Sequence, residues 1–499
     1  MSRLPKVYSA SAGSGKTYTI TNHIYDRISS GAVKPDQIIA TTFTKKAARE
    51  LRERIREKLI SEGKTTEANQ LNQALIGTIN SVCLQLLQRY SFEAGLSPDI
   101  RTLDENDQKI LLAELLGEVV DDKFLDIAFR LYQSDNDPFS EIQYQGHINK
   151  IIVQLKANNL SKDKLSGFAQ ESIDAYLGLY TGPIKEHDTL REQVLALLYD
   201  GIDHVAGEWD KLSKSAKGSY NDLRNTYRSI RSNTFTWHEW VSLSKIKLAK
   251  MYLPDGFQAD MTELVNDLLA NSLFREHYSS YIKGCFAYAA EIIDRYDGYK
   301  KNRGLMDFMD QEAELYRLLL TNPTISGSVS DDYELIVVDE FQDVSPLQLA
   351  IFLKCSDMIT ESVWVGDPKQ SIYGFRGADP ILMNAVINYI PADQRKTLPH
   401  SYRSREALVH YANHIYTHAF DGLLSPDSIA LSAAPRGRTG RSDQENDTLD
   451  PAIHYWHFVS TGRVKKDHRY ICLSNQIKKL IDQAPQVFDK RTQKYRDVT

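Results

Sequence analysis

Near its start the chain reads Ala10-Ser11-Ala12-Gly13-Ser14-Gly15-Lys16-Thr17, between the short apolar stretch Lys6-Val7-Tyr8-Ser9 and the helical run Tyr18 to Ile28. Glycines at this spacing let backbone N–H groups curl around phosphates, provided that a strand precedes the loop and a helix comes after it. In such a P-loop, the lysine reaches the β- and γ-phosphates and the threonine hydroxyl takes a Mg²⁺ position. The strict pattern asks for glycine where Ala10 stands, so the motif alone is a loose match. A glycine-rich turn without nucleotide is the other reading of these residues.

The residues after the loop constrain the fold further. Over residues 1–95, short β-branched runs alternate with helical stretches. Gln37 to Phe43 reads as a buried strand, and Thr44 to Ile60 then places Ala48, Leu51, Ile55 and Leu59 on one helical face. Such alternation predicts an α/β fold, a parallel sheet with helices on both sides. Over 96–289, helical spacing takes over, as in Asp107 to Val120, and a helical insertion is expected, with Trp209, Trp237 and Trp240 as core residues. The α/β signal returns with Glu334 to Glu340 and Ser362 to Asp367, and a further strand–helix unit begins near Lys396. This divides the chain into a first α/β unit (1–95 and 290–395), the insertion (96–289) and the start of a second unit (396–499).

The net charge of −6 does not argue against a polyanionic partner, because such binding depends on where basic residues sit. Lys45, Lys46, Arg49, Arg52, Arg54, Arg56 and Lys58 fall within one short helical segment. Three glutamates interleave with them, so charge alone leaves open both a polyanion contact and a solvated, salt-bridged face. Cys83, Cys285, Cys355 and Cys472 lie far apart, which disfavours a zinc ribbon, an iron–sulfur cluster or a disulfide framework and fits a reducing cytoplasm. No secretory h-region and no apolar run of about 20 residues is present, so no membrane partner is expected.

Leu335 to Glu340 is an apolar strand ending in two carboxylates. As a bare pattern this is also how a strand exits to solvent. Beside a P-loop, Asp339 reads as the acid that holds Mg²⁺ and Glu340 as the general base that activates water.

The P-loop together with Thr42 to Leu51, Val338 to Asp343 and Val365 to Ala378 resembles UvrD-type helicases of superfamily one, the RecB/AddA branch most of all. Gly77 to Ser81, Gly304 to Phe308 and Leu398 to Ser404 extend the series to seven motifs in family order. The resemblance implies RecA-like motor domains, with ATP and Mg²⁺ as cofactors. It also implies movement 3′ to 5′ on single-stranded DNA or at a duplex–single-strand junction, in repair, recombination or anti-phage defence. A nuclease partner or fused nuclease domain is a further implication. Residue by residue, Ala12, Gly13, Ser14, Gly15, Lys16 and Thr17 would cradle the phosphates, with Asp339 and Glu340 as above. Gln370 would sense the γ-phosphate and Arg403 would contact it from the second unit. Phe43, Tyr373 and Phe375 would meet bases, with Thr44, Thr78, Asn80 and Arg376 as further DNA contacts. Phe43 and Phe375 alone would read as core aromatics, and Thr44 is open between helix cap, phosphate contact and both.

The departures from the family pattern are specific. Asn80 stands where histidine is usual, Ser401 where asparagine is frequent, and Phe375 where tryptophan is frequent. No glutamine motif precedes the loop, which leaves adenine recognition open. The family continues past the helix of His468 to Ile481 into a strand and two motifs, one carrying an arginine finger worth about 10³–10⁵ in rate. The chain is therefore read as the amino-terminal part of a longer motor that binds ATP better than it hydrolyses it, the other reading being a short product needing a partner. A nucleotide-dependent DNA-binding or regulatory module without autonomous motor activity is the alternative function.

Overall fold

The computed structural model describes residues 3–11, 13–132, 143–246, 248, 252–371, 379–404, 406–422, 429–434, 466–482, 486–489 and 494–497. Its centre is a parallel sheet built from β1 (Lys6–Ala10), β2 (Ile38–Thr42), β3 (Leu75–Thr78), β6 (Leu335–Asp339), β7 (Glu361–Gly366) and β8 (Arg395–Leu398). The strands lie in the order β3–β2–β6–β7–β1–β8 and all pair in parallel, the parallel pairing being what the α/β alternation predicts. Register is fixed by pairs such as Ala40 with Val337, Val338 with Trp364 and Ser9 with Gly366.

Successive residues of these strands enter two different cores. Ile39, Ile336, Val338 and Trp364 pack under the helices Ile79–Arg89, Phe308–Thr321 and Pro346–Met358. Ile38, Ala40, Leu335, Val337, Val363 and Val365 pack under α1 (Lys16–Ser29) and α2 (Lys45–Ser61). A period of two with both sets apolar marks strands covered on both faces, which explains continuous apolar runs such as Leu335 to Val338. On α2, the buried residues are Ala48, Leu51, Ile55 and Leu59, as its spacing predicts.

β4 (Arg101–Thr102) and β5 (Leu305–Met306) pair in parallel where the helical insertion leaves and rejoins the sheet unit. Among the described residues, the insertion has two cores. One gathers Leu115, Phe124, Ile152, Tyr281 and Ile292; the other gathers Val194, Leu198, Phe235, Trp237, Trp240 and Phe257. The 32-residue helix Ser272–Arg303 runs through both. Trp237 and Trp240 are core residues as expected, whereas Trp209 is 38% exposed, with the Lys217 ammonium 4.8 Å over its ring.

Two expected boundaries move. The division at 289/290 falls inside helix Ser272–Arg303, which ends only at Gly304 in the left-handed conformation (φ 64). The strand near Lys396 pairs with β1 as the sheet's sixth strand, so the first unit extends to Leu398. Past the helix Lys466–Asp482, residues 486–489 and 494–497 form an antiparallel pair. Among the described residues, no helix is long and apolar enough to cross a membrane.

The joint between insertion and sheet is ionic. Lys300 is buried and pairs with Asp307 (2.9 Å), Asp297 (3.0 Å) and Asp310, while Lys156 reaches Asp307 at 3.2 Å. Asp307 caps helix Phe308–Thr321 in a reciprocal box with Asp310. Against the cost of burial, Lys156 and Lys300 hold the Asp307 carboxyl below the ordinary carboxylate range. Removing one partner of such a buried network leaves charge uncompensated, at about 3 kcal/mol or more. Lys300→Met is therefore expected to lower unfolding stability by about 3 kcal/mol in urea titration.

Burial, the main cause in each case, holds His147, His187 and His277 of the insertion below the ordinary imidazole range. As pH falls through about 6.5, the unfolded chain binds protons that the folded insertion refuses, so stability is lost toward acid. The melting temperature followed by near-ultraviolet circular dichroism should fall between about pH 7 and pH 5, and His187→Phe should flatten that dependence.

Candidate nucleotide site and nucleic-acid edge of the sheet

The sequence motifs meet at the carboxyl ends of the parallel strands, the edge where open α/β sheets bind ligands. After β1, the chain turns through Gly13 (φ 79) and Gly15 (φ 91), backbone conformations that favour glycine. Ser14 braces the turn, its N–H and hydroxyl both donating to the Ser11 carbonyl at 3.0 and 2.7 Å. Gly15 is the N-cap of α1 and supplies no capping side chain, and no acidic residue lies in the first turn. The first N–H groups of a helix have no intrahelical partner, so this positive end is available to an anion. Lys16 and Thr17 open that helix, and Ala12 lies outside the described residues.

β7 separates the loop-bearing strand β1 from β6, whose end carries the acids. Lys16 Nζ crosses to Glu340 Oε2 at 2.5 Å. Glu340 is a non-glycine residue in the left-handed region (φ 55, ψ 42), a conformation costing on the order of 1–3 kcal/mol and concentrated at functional sites. Its N–H donates to Asp339 Oδ1 at 3.0 Å. Burial, then the Glu340 charge, pushes the Asp339 carboxyl up to about 6 against the pull of Lys16. The same two causes push Asp343 up to about 6, and its buried Oδ1 has no hydrogen-bond partner among the described residues. Three carboxylates thus face one ammonium, a set of hard oxygen donors of the kind a divalent cation takes. Among the described residues, no three His, Cys, Asp or Glu side chains are grouped to hold a metal unaided. A cation here would take further ligands from phosphate oxygens and water, as Mg²⁺ commonly does.

Sequence reasoning quoted Gln342 and Asp343 within the motif Val338 to Asp343 and gave neither a role. Gln342 is 1% exposed; its Nε2 donates to Glu340 Oε2 (2.9 Å) and Asp343 Oδ2 (3.0 Å). Its Oε1 accepts from the Asp367 N–H at 2.8 Å. Gln370, the expected γ-phosphate sensor, donates through Nε2 to Asp367 Oδ2 at 2.8 Å. The Tyr402 N–H donates to the Gly13 carbonyl at 2.8 Å, bringing Arg403 onto the loop. A methyl group on Gly13 would lie 2.5 Å from Arg403 Cβ. The structure therefore brings Lys16, Glu340, Asp339, Gly13 and Arg403 together, with Gln370 joined to them through Gln342 and Asp367.

The expected nucleic-acid residues divide. Phe43 and Thr44 come after β2, and Thr78 and Asn80 lie at the end of the neighbouring edge strand β3 and just beyond it. Both threonines are helix caps: Thr44 Oγ1 accepts from the Ala47 N–H (3.1 Å) and Thr78 Oγ1 from the Ser81 N–H (3.3 Å). Capping uses an acceptor position and leaves each hydroxyl hydrogen for another oxygen. Tyr373, Phe375 and Arg376 lie outside the described residues. On α2, Lys46 and Arg49 face Glu50 and Glu53 at 3.9 and 4.0 Å, loose pairs that satisfy part of the basic run.

A family model described as the UvrD/REP helicase N-terminal domain matches residues 3–391. Over 98% of its length, the chain is 25% identical to an ATP-dependent helicase/nuclease subunit of Staphylococcus saprophyticus. Proteins of the same name from Clostridium botulinum and Oenococcus oeni are 27% and 26% identical over 82% and 86% of the chain. The chain spans 44%, 37% and 40% of these three relatives, less than half the length of each.

The raised carboxyls give a signed prediction. An acid whose folded pKa is raised favours the fold below its unfolded value near 4, and that contribution is lost as pH rises through about 6. Acid repulsion is therefore greatest above about pH 6, where Mg²⁺ relieves it most. Mg²⁺ should raise the melting temperature more at about pH 8 than at about pH 5, and Asp339→Asn should remove most of that gain.

Proposed function

The chain belongs to the UvrD/REP helicase N-terminal domain family, and from that premise we propose that it is the motor portion of an ATP-dependent DNA helicase. It moves 3′ to 5′ on single-stranded DNA or at a duplex–single-strand junction, in repair, recombination or defence against foreign DNA, in the cytoplasm. The helicase/nuclease name that the relatives share supports a nuclease partner or fused nuclease domain. The sheet unit acts as the first motor domain, the helices between β4 and β5 as its inserted subdomain, and the residues after β8 as the start of a second motor domain.

The observation that carries hydrolysis is the Lys16–Glu340 contact, which sets the phosphate-binding lysine against the strand-end base. When nucleotide enters, Lys16 leaves Glu340 for the β- and γ-phosphates, and the first-turn N–H groups of α1 hold the phosphate oxygens. Thr17 and Asp339 would hold a Mg²⁺ ion, which would supply screening of phosphate charge. Freed of its ammonium partner, Glu340 orients the attacking water and accepts its proton. Gln370 reports on the γ-phosphate, and Arg403 reaches it across the seam marked by the Tyr402–Gly13 hydrogen bond. Phe43 stacks on a base for about 1–3 kcal/mol without sequence preference, and Thr44, Thr78 and Asn80 contact the backbone. In the same reading, Tyr373, Phe375 and Arg376 continue that track.

Single-stranded DNA should stimulate ATP hydrolysis by the full-length protein. Glu340→Gln should lower kcat by about 10²–10⁴ while equilibrium binding of a non-hydrolysable ATP analogue persists, and Lys16→Ala should weaken that binding. Wild-type rates that ignore DNA and are matched by Lys16→Ala would refute the motor. Tight binding of both ligands without turnover would point instead to a nucleotide-dependent DNA-binding module.

A further inference from the structure

We propose that the basic run of α2 is a phosphate track that carries single-stranded DNA off the carboxyl edge of the sheet and down the flank beside β3. The inference rests on the DNA reading above and extends it to residues away from that edge. Lys45, Arg49, Arg52 and Arg56 stand at i, i+4, i+7 and i+11, a spacing that lines them up on one side of a helix. Glu50, Glu53 and Glu57, at i, i+3 and i+7, share the next side with Lys46. A run of mixed charge in sequence is thus sorted by the helix into a cationic stripe and a mixed outer face.

One contact fixes which way the stripe faces. Arg52 Nη2 donates to the Ile76 carbonyl of β3 at 2.8 Å, and β3 is the outermost strand of the sheet. Its Nε is buried without a hydrogen-bond partner among the described residues, and a guanidinium spent on a carbonyl keeps its whole charge. Lys45 and Arg56 are exposed and, like Arg52, have no ion-pair partner among the described residues. Arg49 reaches Glu53 only at 4.0 Å, with the two side chains 72% and 62% exposed, a contact that an incoming phosphate can displace. Because α2 returns from the carboxyl end of β2 toward the start of parallel β3, Lys45 lies beside Thr44 at the edge and Arg56 lies toward the amino ends. The stripe is about 16 Å long, over which a stacked strand carries on the order of four to five phosphates. Four cations therefore meet a similar number of anions. Continuity with Phe43 and Thr44 selects a nucleic-acid strand, rather than an acidic polypeptide, as the occupant.

The measurement is the salt dependence of binding to fluorescent oligothymidylates of about 8 and about 25 nucleotides, the first short enough to occupy the edge alone. Each phosphate contact contributes about 0.7 to the slope of log affinity against log salt for a single strand. The double variant Arg49→Gln, Arg56→Gln should therefore flatten the slope for the long strand by about 1.4, which is about a sevenfold smaller loss of affinity between 50 and 200 mM salt. Its slope for the short strand, and its ATP hydrolysis without DNA, should stay as in the wild type. Glu53→Gln, which frees Arg49, should tighten the long strand alone and serves should the double variant not fold. An unchanged long-strand slope in the folded double variant overturns the proposal, as does unchanged long-strand affinity in Glu53→Gln where the first is unfolded. Equal flattening for both strands also overturns it, because the stripe would then belong to the edge itself. So does a double variant that binds both strands normally but no longer binds polyglutamate, which would assign the stripe to an acidic protein. Each of these outcomes leaves the DNA reading standing. Failure of the wild type to bind either strand overturns that reading, and the proposal with it.

Discussion

A single ammonium facing three carboxylates governs the arrangement of the sheet's carboxyl edge. Lys16 and Glu340 are 324 residues apart in sequence, yet the strand order brings β1 and β6 to either side of β7, within reach of one ion pair. Desolvation makes this contact consequential. Asp339 and Asp343 are already pushed toward neutrality, and Lys16 opposes that shift on both. An anionic ligand that takes Lys16 leaves the acids uncompensated, and a divalent cation alone would compete with Lys16 for them. A triphosphate and a cation would therefore favour each other's binding, because each would relieve the charge that the other exposes.

Strain and close approach are spent in the same place. Glu340 holds a left-handed backbone without being glycine, and it does so between buried Phe341 and the end of a fully covered strand. Gly13 and Gly366 are positions where a Cβ would meet Arg403 or Gln342, so the loop, the acids and the segment after β7 are packed as one body. The insertion, by contrast, is joined through a charged seam at Lys300, Lys156 and Asp307. Charged networks of this type fix geometry through several hydrogen bonds at once, at a substantial desolvation cost.

Much of this was readable in the sequence where one element carries one signal. The buried strands Ile38–Thr42 and Leu335–Asp339 and the amphipathic face of α2 all stem from local pattern. The boundary inside helix Ser272–Arg303 was not readable, because a continuous helix shows no change of period where its packing partner changes; only Gly304 marks its end. The place of β8 in the first sheet was hidden for a related reason, since a strand's sequence does not name its neighbour. Gln342 lies in a quoted motif yet received no role, because a polar residue after an acid pair reads as loop. Its importance is created by Asp367 and Gly366, which approach only in three dimensions.

Parallel topology also explains why one edge could serve both nucleotide and nucleic acid. Each strand–helix unit delivers a helix N-terminus to the carboxyl side of the sheet, so α1, α2 and the helix Ile79–Arg89 all begin there. Their caps differ in a way that matches the ligands proposed for them. α1 begins at Gly15 and leaves its first N–H groups bare for a group that must sit close enough to react. The other two begin at Thr44 and Thr78, whose oxygens satisfy the helix internally while the hydroxyl hydrogens remain available. A hydroxyl-capped helix end offers one adjustable donor in place of a rigid cradle. That is the weaker, exchangeable kind of contact a backbone phosphate needs if it is to be released at every step, and it needs no net positive charge on the chain as a whole.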